Sequence, residues 1–169
     1  MSVTFRDATI ADAAALAELG ARSFTDTFGH LYQPSDLALF LEKHTPGSWA
    51  AELADRSFAV RVGESEGSLV AYAKLGPPQL PFRPRGSAAE LRQFYVLGPW
   101  QGSGVAQQMI EWVIDTARAQ KADDLYLSVF TDNHRARRFY ERVGFEAEGI
   151  YGFMVGTHAD EDIVMRLGL

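Results

Sequence analysis

The chain has no cysteine. A disulfide framework, a thiolate metal site and a cysteine nucleophile are therefore all excluded. No apolar run approaches the ~20 residues that a membrane span requires. The N-terminus, MSVTFRDATIADAA, lacks the basic start and apolar stretch of a secretory signal, so a cytoplasmic protein is expected. Basic residues are outnumbered, 16 to 22, leaving a net charge of −6 that argues against a nucleic-acid partner and mildly favours a cationic one. The histidines at 30, 44, 134 and 158 are scattered, and neither H-E-x-x-H nor G-x-S-x-G occurs. Zinc-peptidase chemistry and the common serine-hydrolase elbow thus have no marker, and no metal site is expected.

What the chain does have is enough length and apolar content for one domain with a sizeable core. It holds 169 residues, 47% of them hydrophobic and 12% aromatic, so a single domain over 1–169 is expected. The stretch LRQFYVLGPWQGSGVAQQMIEWVI from Leu91 to Ile114 organises the rest. Leu91 to Leu97 is apolar, aromatic and β-branched, as a strand should be. Gly98-Pro99 breaks it, and Gln101-Gly102-Ser103-Gly104-Val105-Ala106 opens a helix with Val105, Met109, Val113 and Ala117 at helical spacing.

A helix start has N–H groups without intrahelical partners and the positive end of the macrodipole. Glycines before it let an anion approach the backbone closely. A P-loop would need Lys and Ser/Thr after the glycines, where Val105 and Ala106 stand. The dinucleotide fingerprint would need a small residue where Gln107 stands, and more chain afterwards to complete its sheet. Two readings remain: Q-x-x-G-x-A as a strand, loop and helix that seat an anion, and an ordinary βα turn whose glycines serve geometry alone.

Flanking elements follow in order. Val3–Ala8 reads as a strand, and Thr9 with Asp12 as a capping box before a helix whose stripe runs towards Phe24. Pro34 and Pro46 open two more helices. Strands at 57–64 and 69–75 form an antiparallel hairpin. Residues 76–86 hold four prolines and must be a loop. Residues 124–131 alternate as a strand, Asp132-Asn133 can cap a helix over Ala136–Val143 that closes at Gly144, and strands at 145–153 and 162–167 end the chain. The strands at 91–97 and 124–131 should be parallel, as the two sides of a βαβ crossover.

A second segment, Asn133-His134-Arg135-Ala136-Arg137-Arg138-Phe139-Tyr140-Glu141-Arg142-Val143-Gly144-Phe145, has the form N-x-x-A-x-x-F-Y-x-x-x-G-F. With Gln101 to Ala106, it resembles the Gcn5-related N-acetyltransferase (GNAT) family. The segments 22–29, 153–156 and 162–167 are similar to the bacterial PaiA-type polyamine and diamine branch. The resemblance covers nearly the whole chain. It implies an α/β fold with a mixed sheet of about seven strands, helices on both faces, and a splay between the central strand and the parallel strand that follows it.

The resemblance also implies direct acetyl transfer from acetyl-CoA to a primary amine, on a small molecule, polyamine or peptide N-terminus, with a homodimer as a common assembly. The backbone of Phe94, Tyr95 and Val96 would pair with the pantetheine amides. The Gln101 side chain and the N–H groups of Gly102, Ser103, Gly104, Val105 and Ala106 would hold the pyrophosphate. Asn133 and Ala136 would line the far side of the arm, although Asn133 also reads as a helix cap. Tyr140 would be the general acid, or else a core tyrosine. Glu90, which shares a face with Arg92, Phe94 and Val96 by period 2, would be the base or a structural carboxylate. Arg92 counts against a polycationic acceptor. Phe28 and Tyr32 are candidate acceptor walls. A non-catalytic acyl-CoA sensor on the same fold is the alternative.

Overall fold

In a computed structural model of the chain, residues 2–42, 44–81 and 83–169 are described, with the side chain of Phe153 excepted. Phe82, within the expected proline-rich loop, lies outside them. The strands are β1 (Thr4–Asp7), β2 (Ala59–Ser65), β3 (Ser68–Gly76), β4 (Ala88–Val96), β5 (Asp124–Phe130), β6 (Glu146–Val155) and β7 (His158–Gly168). The α-helices are α1 (Ala13–Phe28), α2 (Pro34–Leu41), α3 (Pro46–Ala54), α4 (Val105–Ala119) and α5 (His134–Val143). One seven-stranded sheet runs β1-β2-β3-β4-β5-β7-β6. β4 and β5 are its parallel neighbours, and the other pairs are antiparallel.

Each face carries its own core. Met109, Ile110, Val113 and Ala117 of α4 are fully buried against Ala71, Ala73, Leu75, Leu91, Leu125 and Leu127. On the other face, Leu16 and Leu19 of α1 and Trp49 of α3 pack against Val62, Val70 and Tyr72. The start of α1 is fixed as the sequence suggests: the Thr9 N–H donates to Asp12 Oδ2 at 2.8 Å, and Arg6 grips the same carboxylate.

Two departures from regular sheet shape the site. First, β4 pairs with β5 only at Ala88–Glu90, opposite Asp124–Tyr126. Beyond that point β4 keeps only β3, while β5 keeps β7 as far as Phe130. The sheet splits there, as the family resemblance implies. Second, Leu75 pairs with Leu91 but Lys74 pairs with Gln93, so Arg92 is an extra residue in β4. Such a bulge reverses the in-and-out alternation beyond it.

The last hairpin is longer than its sequence pattern indicates. β7 begins at His158 rather than at 162, because β6 and β7 turn tightly at Gly156-Thr157, with Gly156 at φ +60°. A Cβ on Gly156 would lie 2.6 Å from Asp36 Cα, so only glycine lets α2 approach the turn. Asp36 Oδ1 accepts from Thr157 N at 2.8 Å and from its hydroxyl at 2.6 Å.

Candidate active site

The split opens into a cleft of about 1550 Å³. It extends from the start of α4, between β4 and β5, to a chamber under α1 and α2.

At the α4 end, the Gly104 carbonyl receives the first helical bond, from Gln108 N at 3.1 Å. Among the described residues, the N–H groups of residues 102–107 have no main-chain acceptor. Gly102 and Gly104 have φ of +77° and +87°, which side-chain-bearing residues adopt only at a cost, and a Cβ on either would meet no protein atom within 4 Å. The loop is therefore a concave row of free donors at a positive helix end, open to an incoming anion. Gln101 and Arg135 flank it: Gln101 Oε1 accepts from the Arg135 guanidinium, and Gln101 Nε2 donates to Val96 O at 2.9 Å. The side chains of Ser103 and Val105 are not in this wall. The Ser103 hydroxyl donates to the Trp100 carbonyl, and Val105 is in the core.

Along β4, antiparallel pairing decides which backbone groups face the split. Leu97 N donates to Val70 O at 2.9 Å, and bonded pairs alternate along an antiparallel ladder. Tyr95, opposite Tyr72, therefore gives its main-chain groups to β3, while Phe94 and Val96 turn theirs towards the split. The expected three-residue backbone contact reduces to Phe94 and Val96, and Gln101 already engages the Val96 carbonyl. Tyr95 contributes its ring instead, which meets Tyr72 on the α1 face and lines the cleft.

Tyr140 lies in the cleft wall on the α5 side, 8% exposed, among the rings of Phe94, Phe139 and Phe145. Burial, with the nearby Tyr95 phenol, pushes its hydroxyl well above the usual tyrosine range, so it is protonated at neutral pH. Asn133 and Ala136 also line the cleft. Asn133 is the cap of α5 as well, its Oδ1 accepting from Ala136 N at 3.4 Å, so its two expected roles coincide.

Glu90 requires a correction. The bulge at Arg92 puts Glu90 on the face of Gln93 and Tyr95, opposite Phe94 and Val96. It is 7% exposed and absent from the cleft wall. Its Oε1 accepts from Gln79 N at 2.8 Å and Leu80 N at 3.0 Å, and its Oε2 lies 3.5 Å from Arg92 Nε. Glu90 anchors the 77–80 loop, and Arg92 does the same through the Pro77 carbonyl. Glu90→Gln, which keeps an acceptor for both N–H groups, should leave the pH profile of turnover unchanged. Glu90→Ala should lower the melting temperature by several degrees, since hydrogen bonds to a charged group are worth about 1.5–3 kcal/mol each. A pH titration of initial rates and a thermal melt check the two.

The chamber beyond the split is aromatic. Phe28 and Tyr32 both line it, with Phe24 meeting both rings and Phe28 set edge-on to Phe130. The Tyr32 hydroxyl donates to Asp160, whose other oxygen is 3.1 Å from His158 Nε2. Lys74, at one side, is held by Glu52 at 2.5 Å and lies 4.7 Å from the Trp49 ring centroid. Asp160 and Asp162 also face the cleft and were not found from sequence, because that stretch offered no alternation strong enough to extend the last strand to 158.

A split sheet, with free main-chain donors at one end of its cleft and an aromatic chamber at the other, is the arrangement the chain presents. The chain belongs to the acetyltransferase (GNAT) family, whose model matches residues 15–145. It is an N-acetyltransferase of that family. A Mycobacterium tuberculosis protein described as an uncharacterized N-acetyltransferase is 32% identical over 155 residues, spanning 91% of this chain and 96% of that protein. The spermine/spermidine N(1)-acetyltransferase of Bacillus subtilis is 32% identical over 90 residues, 52% of this chain and 59% of its own. In fold, the chain is similar to the PaiA N-acetyltransferase of Thermoplasma acidophilum, solved in complex with coenzyme A, with a TM-score of 0.81, 17% identity and full coverage of both chains.

Proposed function

We propose that the protein transfers the acetyl group of acetyl-CoA directly to the nitrogen of a small primary amine, which enters from the α1–α2 chamber. The observation that carries this reading is the row of unpaired N–H groups at 102–107, continuous through the split with the Tyr140 phenol. Acetyl-CoA supplies an activated acyl carbon and a thiol leaving group. Residues 102–107 hold the pyrophosphate, with Arg135 beside them adding charge. The main-chain groups of Phe94 that face the split align the pantetheine arm as an added strand would be aligned.

Tyr140 donates to the departing sulfur. A thiol has a reference pKa of ~8.5 and tyrosine of ~10. A phenol raised further is never lost as phenolate at working pH, and it can share its proton as negative charge develops on sulfur. The absent cysteine removes one common route through a covalent acyl-enzyme. The rings of Phe24, Phe28, Tyr32 and Phe130 make the chamber an aromatic enclosure suited to a small acceptor.

The test is free-thiol release from acetyl-CoA with a panel of monoamines, diamines, spermidine, amino acids and peptide N-termini, alongside melting curves with and without acetyl-CoA. Amine-dependent thiol release with a raised melting temperature is expected. Stabilisation by acetyl-CoA without release for any amine would leave a sensor. No stabilisation would end the coenzyme reading altogether.

A further inference from the structure

Among the described residues, the buried charged side chains are Asp12, Lys74, Glu90, Asp124 and Asp162. Four have an opposite charge at hand: Asp12 has Arg6, Lys74 has Glu52, Glu90 has Arg92 and Asp124 has Arg166. Asp162, 6% exposed, has no cationic partner among the described residues, yet it lines the cleft. An ionised carboxylate with no counter-charge is costly to bury. Asp162 has a hydrogen bond from Ser128 but no counter-charge, and a second polar atom of the same wall, Ser23 Oγ, is buried with no hydrogen-bond partner.

The sheet register places Asp162 where the acceptor would arrive. It pairs with Phe130 on β5 and Tyr151 on β6. Leu127, Val129, Ile163 and Met165 pack on the α4 face, so Ser128, Phe130 and Asp162 point to the α1–α2 face. The Tyr95 phenol, across the split on β4, and the Tyr32 phenol, before α2, lie close enough to feel its charge.

We infer that Asp162 is the residue that receives the acceptor's ammonium group and takes its proton. This rests on the proposed amine acetylation and supplies the base that Glu90 does not. The ammonium gives one proton to the Asp162 carboxylate. The freed nitrogen forms the C–N bond as the C–S bond breaks. Its second proton passes to the departing sulfur by way of the Tyr140 hydroxyl, and Asp162 returns its own to solvent. The aromatic walls Phe28, Tyr32 and Phe130 favour a cation with a short carbon chain.

The groups facing Asp162 are the Asp160 carboxylate on its own strand, the Tyr32, Tyr95 and Tyr151 phenols, and the Ser128 hydroxyl of β5, with His158 behind Asp160. Burial first, then Asp160, pushes the Asp162 carboxyl up to about 6, and Ser128 offsets part of this. Turnover should therefore fall as pH drops through about 6.

The experiment compares wild type, Asp162→Asn and Asp160→Asn. With an alkylamine, Asp162→Asn should lower kcat/KM by about 10²–10⁴-fold, with the acetyl-CoA dissociation constant within twofold. With a weakly basic amine such as trifluoroethylamine, already neutral at pH 7, most of that defect should vanish. Asp160→Asn should move the acidic limb to lower pH. Folded Asp162 keeps its proton to higher pH than it would unfolded, so once ionised it disfavours the fold. Asp162→Asn should therefore melt about 2–4 °C above wild type at pH 8. An alkylamine kcat/KM within threefold of wild type, an equal defect with both amines, or a lowered melting point would each overturn the assignment. These outcomes are distinct from failure of the amine reading, in which wild type itself releases no thiol. If Asp162→Asn does not fold, the Asp160→Asn shift and the wild-type comparison of the two amines still decide.

Discussion

Gly104→Val should weaken acetyl-CoA binding by at least about 100-fold while leaving the free protein folded. Gly104 sits at φ +87°, where a side chain costs about 1–2 kcal/mol and a β-branched one more. The space a Cβ would occupy is free of protein atoms, so the mutant side chain displaces ligand rather than core. Losing one or two charge-assisted bonds from the loop costs roughly 1.5–3 kcal/mol each. Two such bonds reach about 3–6 kcal/mol, at about 1.4 kcal/mol per tenfold in affinity, while the backbone cost falls on stability instead. Calorimetric titration with acetyl-CoA reads the loss, and the melting temperature without ligand should fall by only a few degrees. An affinity within threefold of wild type would mean that the loop is not the pyrophosphate seat.

Tyr140→Phe should reduce kcat by about 10²–10⁴-fold, with acetyl-CoA affinity within twofold. The substitution removes one oxygen from a ring packed among Phe94, Phe139 and Phe145, so packing is retained. The neighbouring phenols, Tyr95 and Tyr32, should not replace it. The Tyr95 ring is packed against Tyr72, and the Tyr32 hydroxyl is engaged by Asp160. On the proposed mechanism the phenol shares its proton as the thiol leaves, so the defect should shrink for an acyl donor with a more acidic thiol. Steady-state rates with such a donor, set beside acetyl-CoA, test this. Unimpaired turnover would remove Tyr140 from the chemistry.

Most of the donor side was legible in the sequence because its determinants are local. A strand, a breaker, two glycines and an amphipathic helix follow one another between Leu91 and Ala117, and their spacing alone predicts free N–H groups at a helix start. The cap at Asn133, the stop at Gly144 and the parallel β4–β5 pair rest on equally short-range patterns. The acceptor side was not legible, for two reasons. Period-2 reasoning presumes an unbroken strand, and one additional residue at Arg92 put Glu90 on the other face from Phe94. Asp160 looks like loop, and Asp162 like the mere start of a strand, until β5 and β6 are laid against them. Both depend on pairing between residues remote in sequence.

The extra residue at Arg92 also makes β4 a partition wall. Beyond it, positions 93 and 95 face the α1 side of the sheet and positions 94 and 96 the α4 side. On the proposed function, adjacent residues of one strand thus answer to different ligands. Odd-numbered positions are free to drift towards a new acceptor while the even ones keep an old donor, and swapping acceptors need not disturb the shared machinery at all.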